Sequence, residues 1–379
     1  MSARTLHIVL NSVSEDSRVL KCAWSLGNAG WDVLVIGASP TPKDDQLSIG
    51  YANIHLLGLK PVITPVALEF KPDVIHAHDY TALPIAGAIV QALAASGHKA
   101  ALIYDAHEYV PGVAHLNAPL AKLYTTQERK FAALSQAILS VSEGMNELLI
   151  PHLGITTEPE IIANDPLVEG QQESKRNLRN DCSITQDIPL LVYSGAVAPQ
   201  RGVGDVLEAL RAMPDVHLAL IANPANATVI SYVEKYADLA DRFHVLPYVP
   251  NAQLVSYISS ADIGLIPIHH KLNHEISLIT KFGEYMQAHL PILVSDVRTM
   301  SAEVRRLGNG EVFIAQDTKD FIRATRAVLA NKMKYVSAYT PEVLSERSWE
   351  RQAERLISIY NRIAHVSPQP RAHKQFEIN

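Results

Sequence analysis

In the stretch "ITKFGEYMQAHLPILVSD", residues 279–296, Lys281 and Glu284 fall in the first turns of what reads as a helix, ended by Pro291 ahead of an apolar strand. A lysine is badly placed there. The N-terminal end of a helix favours anions, and lysine ahead of glutamate is the weaker order for a side-chain pair. As a surface ion pair the two would gain only about 0.2 to 0.5 kcal/mol. A diphosphate at that helix end changes the balance, because each charged hydrogen bond to it contributes roughly 1.5 to 3 kcal/mol. Glu284, one turn on, then offers an acceptor-only carboxylate suited to the vicinal hydroxyls of a ribose. The pair reads as a clamp for a nucleoside diphosphate.

A second candidate is "YSGAVAPQRGVGDVLEAL", residues 193–210, which runs from strand through loop to helix with Gly195, Gly202 and Gly204 in the turn and Arg201 beside them. Glycines let backbone N–H groups approach a phosphate, and the helix end favours the anion. A dinucleotide fingerprint is the competing reading. It lacks its third glycine, replaced by Leu207, and the next strand ends in Asn223 rather than an acid. The plain alternative is a glycine turn with a solvated arginine.

Two further stretches, "HAHDYTALP" and "YDAHEYVPG", put histidines at the carboxyl ends of apolar runs. His107 at such an end is placed to hydrogen-bond a bound hydroxyl. His76 and His78 are expected to project to opposite faces of their strand, which argues against a metal held jointly by His76, His78, Asp79, His107 and Glu108. No metal is expected. Phosphate loops of the G-x-x-x-x-G-K type, G-x-S-x-G elbows and Asp-x-Asp pairs are absent, which disfavours kinase, hydrolase and metal-dependent sugar-nucleotide chemistry.

The elements that must carry these residues are short continuous apolar runs alternating with amphipathic stretches. Such runs are the mark of parallel strands buried on both faces. One set covers "LHIVLN" to "EIIAND", and a second begins at "LLVYSGAV" and ends at "EVFIA". Two Rossmann-like, doubly wound parallel-sheet domains facing across a cleft are therefore expected, with the ligand outside the strand carboxyl ends. The boundaries are 1–167, a polar linker over 168–188, 189–345, and a closing segment 346–379. Its helix is expected at about 344–365, followed by a mobile tail.

Over 379 residues, 47% hydrophobic and 19% charged with net charge −6, the composition fits a two-domain globular chain. No overall basic field favours nucleic acid or an anionic membrane. Cys22 and Cys182 make neither a disulfide framework nor a metal spacing. With no signal core at "MSARTLHIVLN" and no run of roughly 18 apolar residues, a cytoplasmic location is expected, with weak peripheral contact at the inner face of a membrane left open.

In order along nearly the whole chain, "DSRVLKCAWSLGNAGWDVLVIG", "PDVIHAHDYTALP", "LIYDAHEY", "LSVSEGMNELL", "LVYSGAVAPQRGVGDVLEAL", "ADIGLIPI", "KFGEYMQAHLPILVSD" and "SWERQAERLISIY" resemble the retaining glycosyltransferases of family four, with the GT-B fold. The resemblance implies a nucleotide diphosphate-sugar donor, UDP-linked as a first guess, held mainly by the second domain, and no cofactor. The acceptor, a glycan, a lipid-linked intermediate or a small molecule, would enter from the first. Arg201 and Lys281 would contact the diphosphate, Glu284 the ribose, and His107 the transferred sugar. Gly195, Tyr248, Glu275, Ser277 and Leu278 complete the implied donor set. Asn11, Ser12, Arg18, His78 and Glu108 are the implied acceptor contacts. The last helix would cross back to the first domain.

The chain also departs from the family. The first of two glutamates spaced seven residues apart is Ile276, with Glu275 one position earlier; the glycine-rich segment after it is "SLIT"; and an arginine common after the first glycine of the phosphate turn is Ala196. Rival readings are a sugar-nucleotide 2-epimerase of the same fold and a non-catalytic sugar-nucleotide-binding subunit.

Overall fold

The computed structural model describes residues 3–14, 16–38, 43–57, 63–113 and 117–378. The chain divides into two compact units, Met1–Asn164 with Trp349–Asn379, and Asp165–Ser348.

The first unit is built on β1 (Arg4–Ile8), β2 (Asp32–Ala38), β3 (Lys43–Ile49), β4 (Ala52–Leu57), β5 (Val74–His78), β6 (Ala101–Asp105), β7 (Ala137–Ser140) and β8 (Glu160–Ile161). Their order is β3-β4-β2-β1-β5-β6-β7-β8, parallel apart from β3, which runs antiparallel to β4. The sheet is thus mixed at one edge. The strand "KDDQLSI" has no apolar run to announce it, which suits an edge position where polar residues discourage further pairing. It turns into β4 through Gly50 at φ 58° and Tyr51.

The closing helix Trp349–Ala364 belongs to this unit and packs on the helix Ser17–Asn28, where Trp349 Nε1 donates to Ser25 Oγ at 2.9 Å. The single helix expected over 344–365 is two helices, Pro341–Glu346 and Trp349–Ala364. The break falls at the unit boundary, with Arg347 outside helical geometry (φ −105°, ψ 41°). The tail is not mobile as expected but strapped to the first unit: Trp24 Nε1 donates to the Lys374 carbonyl at 2.9 Å, and Ile49 bridges Ile378.

The second unit holds β9 (Leu190–Ser194), β10 (His217–Ile221), β11 (Phe243–Leu246), β12 (Ile263–Ile266), β13 (Ile292–Ser295) and β14 (Gly310–Phe313), all parallel in the order β11-β10-β9-β12-β13-β14. The strand order reverses between β9 and β12, the place where such sheets bind ligands. Residues 168–188 are not a linker. Leu178 and Cys182 join this unit's core, and buried Arg179 ties the segment down through the Ser260 carbonyl and the Asp262 carboxylate while bracing the segment's own Thr185 and Ile188 carbonyls. The polar sequence misled because its few anchoring residues lack periodicity. Among the described residues, no helix is long and apolar enough to cross a membrane.

Candidate functional site

In the second unit, the turns after β9 and β12 meet at the switch point. His269 N–H donates to the Gln200 carbonyl at 2.9 Å. Gly202, at φ 73°, lies so close to Pro267 that a Cβ would fall 1.7 Å from its carbonyl oxygen. Only glycine fits both demands. This close approach sets Arg201 at the end of a single 3-10 turn, Pro199–Arg201, directly before the helix Val203–Arg211.

The opening stretch forms the helix Thr280–Gln287, whose apolar side (Phe282, Tyr285, Met286) is buried in the core. It ends at His289 in the left-handed region, φ 54°, two residues before Pro291. Its first turn carries no acid and no side-chain cap. Lys281 lies over the Tyr193 ring, 5.1 Å from its centroid, and Tyr193 is itself fixed by donating its hydroxyl to the Ala196 carbonyl at 2.7 Å. Burial pulls Lys281 down to about 8; the charge of Arg201 acts in the same direction and Glu284 against it. Two cations therefore share a region with one nearby carboxylate, which is an electrostatic arrangement suited to an anion.

A cavity of about 170 Å³ is lined by Ser194, Gly195, Tyr248, Asn251, Thr280, Lys281 and Glu284, among others. It brings Gly195, Tyr248, Lys281 and Glu284 together as a set. Ser194, Asn251 and Thr280 were not singled out from sequence; their place at strand ends or in helix first turns was the available signal. The remaining donor candidates lie in a different setting. Glu275 accepts from the Arg298 N–H at 2.8 Å and pairs with His270, so its carboxylate caps the helix Arg298–Leu307. Ser277 Oγ donates to the Asn273 carbonyl at 2.5 Å, Leu278 packs on the core, and Ile276 is buried.

In the first unit, strand register collects the histidines. His7 on β1 stands opposite His76 on β5, and His78 stands opposite Asp105 on β6. The expectation that His76 and His78 point to opposite faces fails: residues two apart on a strand share a face, and their rings stack with centroids 4.1 Å apart. Arg18 and His78, implied as acceptor contacts, are both buried. Arg18 is bound up with Asp105 and the Ile162 carbonyl, and His78 meets His7 at 2.9 Å. His107 keeps 21% exposure, with Nε2 3.2 Å from Asp105. Asn11 and Ser12 are exposed, Asn11 bracing its own loop by donating to Asp16 at 2.8 Å; Glu15 of that loop lies outside the described residues. Glu108 is exposed.

Burial holds His76 below its ordinary range and His78 at about 3, while His107 is raised because Asp105 outweighs its burial. Asp79 starts the next helix at φ 68°, and burial raises its carboxyl to about 6. Such strain in a non-glycine residue concentrates at functional positions.

Two Rossmann-type units, each with its polar cluster at strand carboxyl ends, define a protein of the GT-B class. Residues 17–165 match the glycosyl transferase 4-like domain, and residues 188–331 match the glycosyl transferases group 1 domain. The chain belongs to the GT-B glycosyltransferase family through these two domains.

A curated relative is TuaC of Bacillus subtilis (strain 168), named as a teichuronic acid biosynthesis glycosyltransferase. It is 24% identical over 245 residues, covering 62% of this chain and 56% of TuaC, so the match spans little more than half of that relative. Among solved structures, sucrose-phosphate synthase from Thermosynechococcus elongatus has a TM-score of 0.79 at 16% identity, over 95% of this chain and 99% of that one. Anabaena HepE in complex with UDP has a TM-score of 0.75 at 12% identity, over 95% and 100%. An Escherichia coli protein described as trehalose-6-phosphate, bound with UDP-2-fluoro glucose, has a TM-score of 0.68 at 14% identity, over 97% and 100%. At these identities the likeness concerns the fold. The epimerase alternative receives no support from these matches.

Proposed function

We propose that the protein is a retaining glycosyltransferase that moves a sugar from a nucleotide diphosphate-sugar, with UDP as the first candidate, to a glycan, lipid-linked or small-molecule acceptor. The carrying observation is Lys281 in the uncapped first turn of Thr280–Gln287, with Arg201 near it and Glu284 in the same cavity. HepE and the trehalose-6-phosphate protein, both of this fold, were solved with UDP or a UDP-sugar, which supports UDP as the diphosphate to test first.

In this reading, Glu284 accepts from the ribose hydroxyls. Arg201, Lys281 and the helix-end amides stabilise the charge that builds on the departing diphosphate as the sugar becomes oxocarbenium-like. Retention follows when the acceptor attacks from the leaving-group side and gives its proton to a phosphate oxygen. Electrostatic preorganisation carries the rate, with the departing charge met by side chains of this chain rather than by a metal. His107 hydrogen-bonds a sugar hydroxyl. The first unit is assigned the acceptor, and the protein is assigned to the cytoplasm.

The test is thermal shift with UDP, ADP and GDP, followed by donor turnover. A diphosphate at 100 times its dissociation constant should stabilise the fold by about 2.7 kcal/mol. Lys281→Ala should lower transfer at least about 100-fold, the scale for losing one charge stabiliser. Near-normal transfer by a correctly folded Lys281→Ala protein would overturn the clamp. Tight nucleotide binding without turnover of any donor would favour a non-catalytic binding subunit.

A further inference from the structure

Asp105 ends β6 fully buried and receives Arg18 on both oxygens, Nη2 to Oδ1 at 2.7 Å and Nε to Oδ2 at 2.8 Å. The same Oδ2 faces three imidazole nitrogens: His107 Nε2 at 3.2 Å, His76 Nε2 at 3.3 Å and His78 Nδ1 at 3.4 Å. Behind it, His78 Nε2 meets His7 Nδ1 at 2.9 Å and His7 Nε2 meets the Tyr360 hydroxyl at 3.2 Å. That hydroxyl meets His76 Nδ1 at 2.8 Å. The contacts close into a loop that begins and ends on Asp105.

This loop is one proton short. It has five contacts: Asp105 to His76, His76 to Tyr360, Tyr360 to His7, His7 to His78 and His78 to Asp105. Each neutral imidazole brings one N–H and the tyrosine one O–H, so four protons must serve five contacts. Thr5 Oγ1, 3.4 Å from the Tyr360 hydroxyl, donates to it and cannot supply the missing proton elsewhere. An ionised carboxylate only accepts, so donation from both His76 Nε2 and His78 Nδ1 would leave His7 Nε2 facing the Tyr360 oxygen with no proton between them. With the shortfall at Asp105 instead, one of His78 Nδ1 and His76 Nε2 is bare. Both of these buried nitrogens lack a well-aligned hydrogen-bond partner among the described residues, which places the shortfall at Asp105 rather than at the Tyr360–His7 contact.

Asp105 therefore depends for its firm donors on Arg18 and on His107, which stands outside the loop at the partly exposed edge. We propose that Asp105 is a positioning residue for His107: it holds the imidazole with the proton on Nε2, leaves Nδ1 to meet a hydroxyl of the bound molecule, and is itself anchored by Arg18 and the loop of His7, His78, His76 and Tyr360. The role given to Nδ1 rests on the reading of His107 as a sugar contact. The titratable and charged groups around His107 include the carboxylates of Asp105, Asp79 and Asp16, the Arg18 guanidinium and the His76 and His78 rings. Because the carboxylates prevail over burial, its pKa is raised. A metal held by the same histidines fits less well. Nitrogens sharing a tetrahedral zinc at about 2.0 to 2.1 Å would stand about 3.4 Å apart, whereas His7 and His78 meet at 2.9 Å.

The experiment is imidazole nitrogen NMR on the full chain labelled at histidine, with His107 assigned through His107→Gln. Above its pKa, His107 should show a protonated Nε2 and a bare Nδ1. Asp105→Asn should mix the two tautomers and lower the His107 pKa by about one unit or more. A neutral wild-type His107 with its proton on Nδ1 would overturn the proposal whether or not Asp105→Asn folds. So would an Asp105→Asn protein, correctly folded, with tautomer and titration unchanged. Joint shifts of the His76 and His78 signals on adding Zn²⁺ would replace the loop by a metal site. Because the tautomer is read without turnover, the two readings separate. A protein with the Nε2–H tautomer that processes no sugar nucleotide would overturn the proposed function and support the positioning role.

Discussion

The ammonium of Lys281 stands 2.6 Å from the point that a Cβ on Gly195 would occupy, so a side chain at one position displaces the other. Gly195 also lies at φ 117°, where side-chain-bearing residues are strained. Gly195→Ala should cost about 1 to 3 kcal/mol of stability from backbone strain, read by denaturant unfolding. It should also weaken UDP binding about tenfold by moving the lysine, a loss of about 1.4 kcal/mol. Unchanged UDP affinity in the folded variant would detach Gly195 from the anion site.

Lys281 makes nucleotide affinity depend on pH. Its value of about 8 in the protein alone means that the ammonium is in place at neutral pH but must be regained on binding at higher pH. The dissociation constant for UDP should be level near pH 7 and rise above pH 8, approaching about tenfold per pH unit. Lys281→Met should abolish the rise. The sign for folding is opposite to that of a lysine gaining a partner: between about 8 and the ordinary lysine value of 10.5 the unfolded chain holds more protons, so this group's contribution to stability grows with pH. Isothermal titration across this range provides the check, and the same slope in Lys281→Met would count against the assignment.

The two-unit fold was legible in the sequence because parallel strands buried on both faces leave continuous apolar runs, as β1, β2, β5, β9 and β12 do. β3 was not, since among its described side chains only Ile49 is buried and the strand owes its place to pairing with β4. Lys281 and Glu284 drew attention through a local conflict, a cation at the wrong helix end, and local conflicts often mark functional sites. The Asp105 cluster gave no such sign. Its members are a residue or two apart only at His76–His78 and Asp105–His107, and the rest of the set comes from register across β1, β5 and β6 and from Tyr360 on the closing helix. Glu275 shows the converse: near the expected position in sequence, it is turned toward the Arg298 N–H by the geometry of a short helix, Leu272–Ile276.

Arg18 and Asp105 form a buried pair with two hydrogen bonds, at 2.7 and 2.8 Å. Removing one partner leaves the other as an uncompensated buried charge, which costs about 3 to 5 kcal/mol. Arg18→Met should therefore lower unfolding free energy by that amount. Asp105 lies well below the usual carboxylate range, with burial opposed chiefly by Arg18, so the variant should raise it and shift part of the acid transition to higher pH. Replacing both residues with apolar ones of similar shape should recover part of the loss. A single variant within about 0.5 kcal/mol of wild type, the usual range for surface substitutions, would contradict the burial argument.

The tail offers a test confined to the first unit. The Tyr51 hydroxyl donates to the Ala372 carbonyl at 2.9 Å, Lys374 Nζ sits 4.1 Å from the Tyr51 ring centroid, and the rings of His373 and Phe376 meet Trp24 edge-on at 5.3 and 5.7 Å. Gly30, at φ 98°, admits the tail so closely that a Cβ would lie 2.2 Å from the Gln369 carbonyl oxygen. Trp24 is only 5% exposed beneath these contacts. Deleting residues 366–379 should uncover it and cost about 2 to 4 kcal/mol, from lost apolar burial and about one kcal/mol per hydrogen bond. Tryptophan emission should move to longer wavelength, and Trp24→Phe in the truncated chain should remove that change. UDP binding, assigned to the second unit, should stay within about twofold, a difference of about 0.4 kcal/mol. Unaltered emission and stability after truncation would show that the strap contributes nothing to folding, while lost UDP binding would show that the units do not act separately in holding the nucleotide.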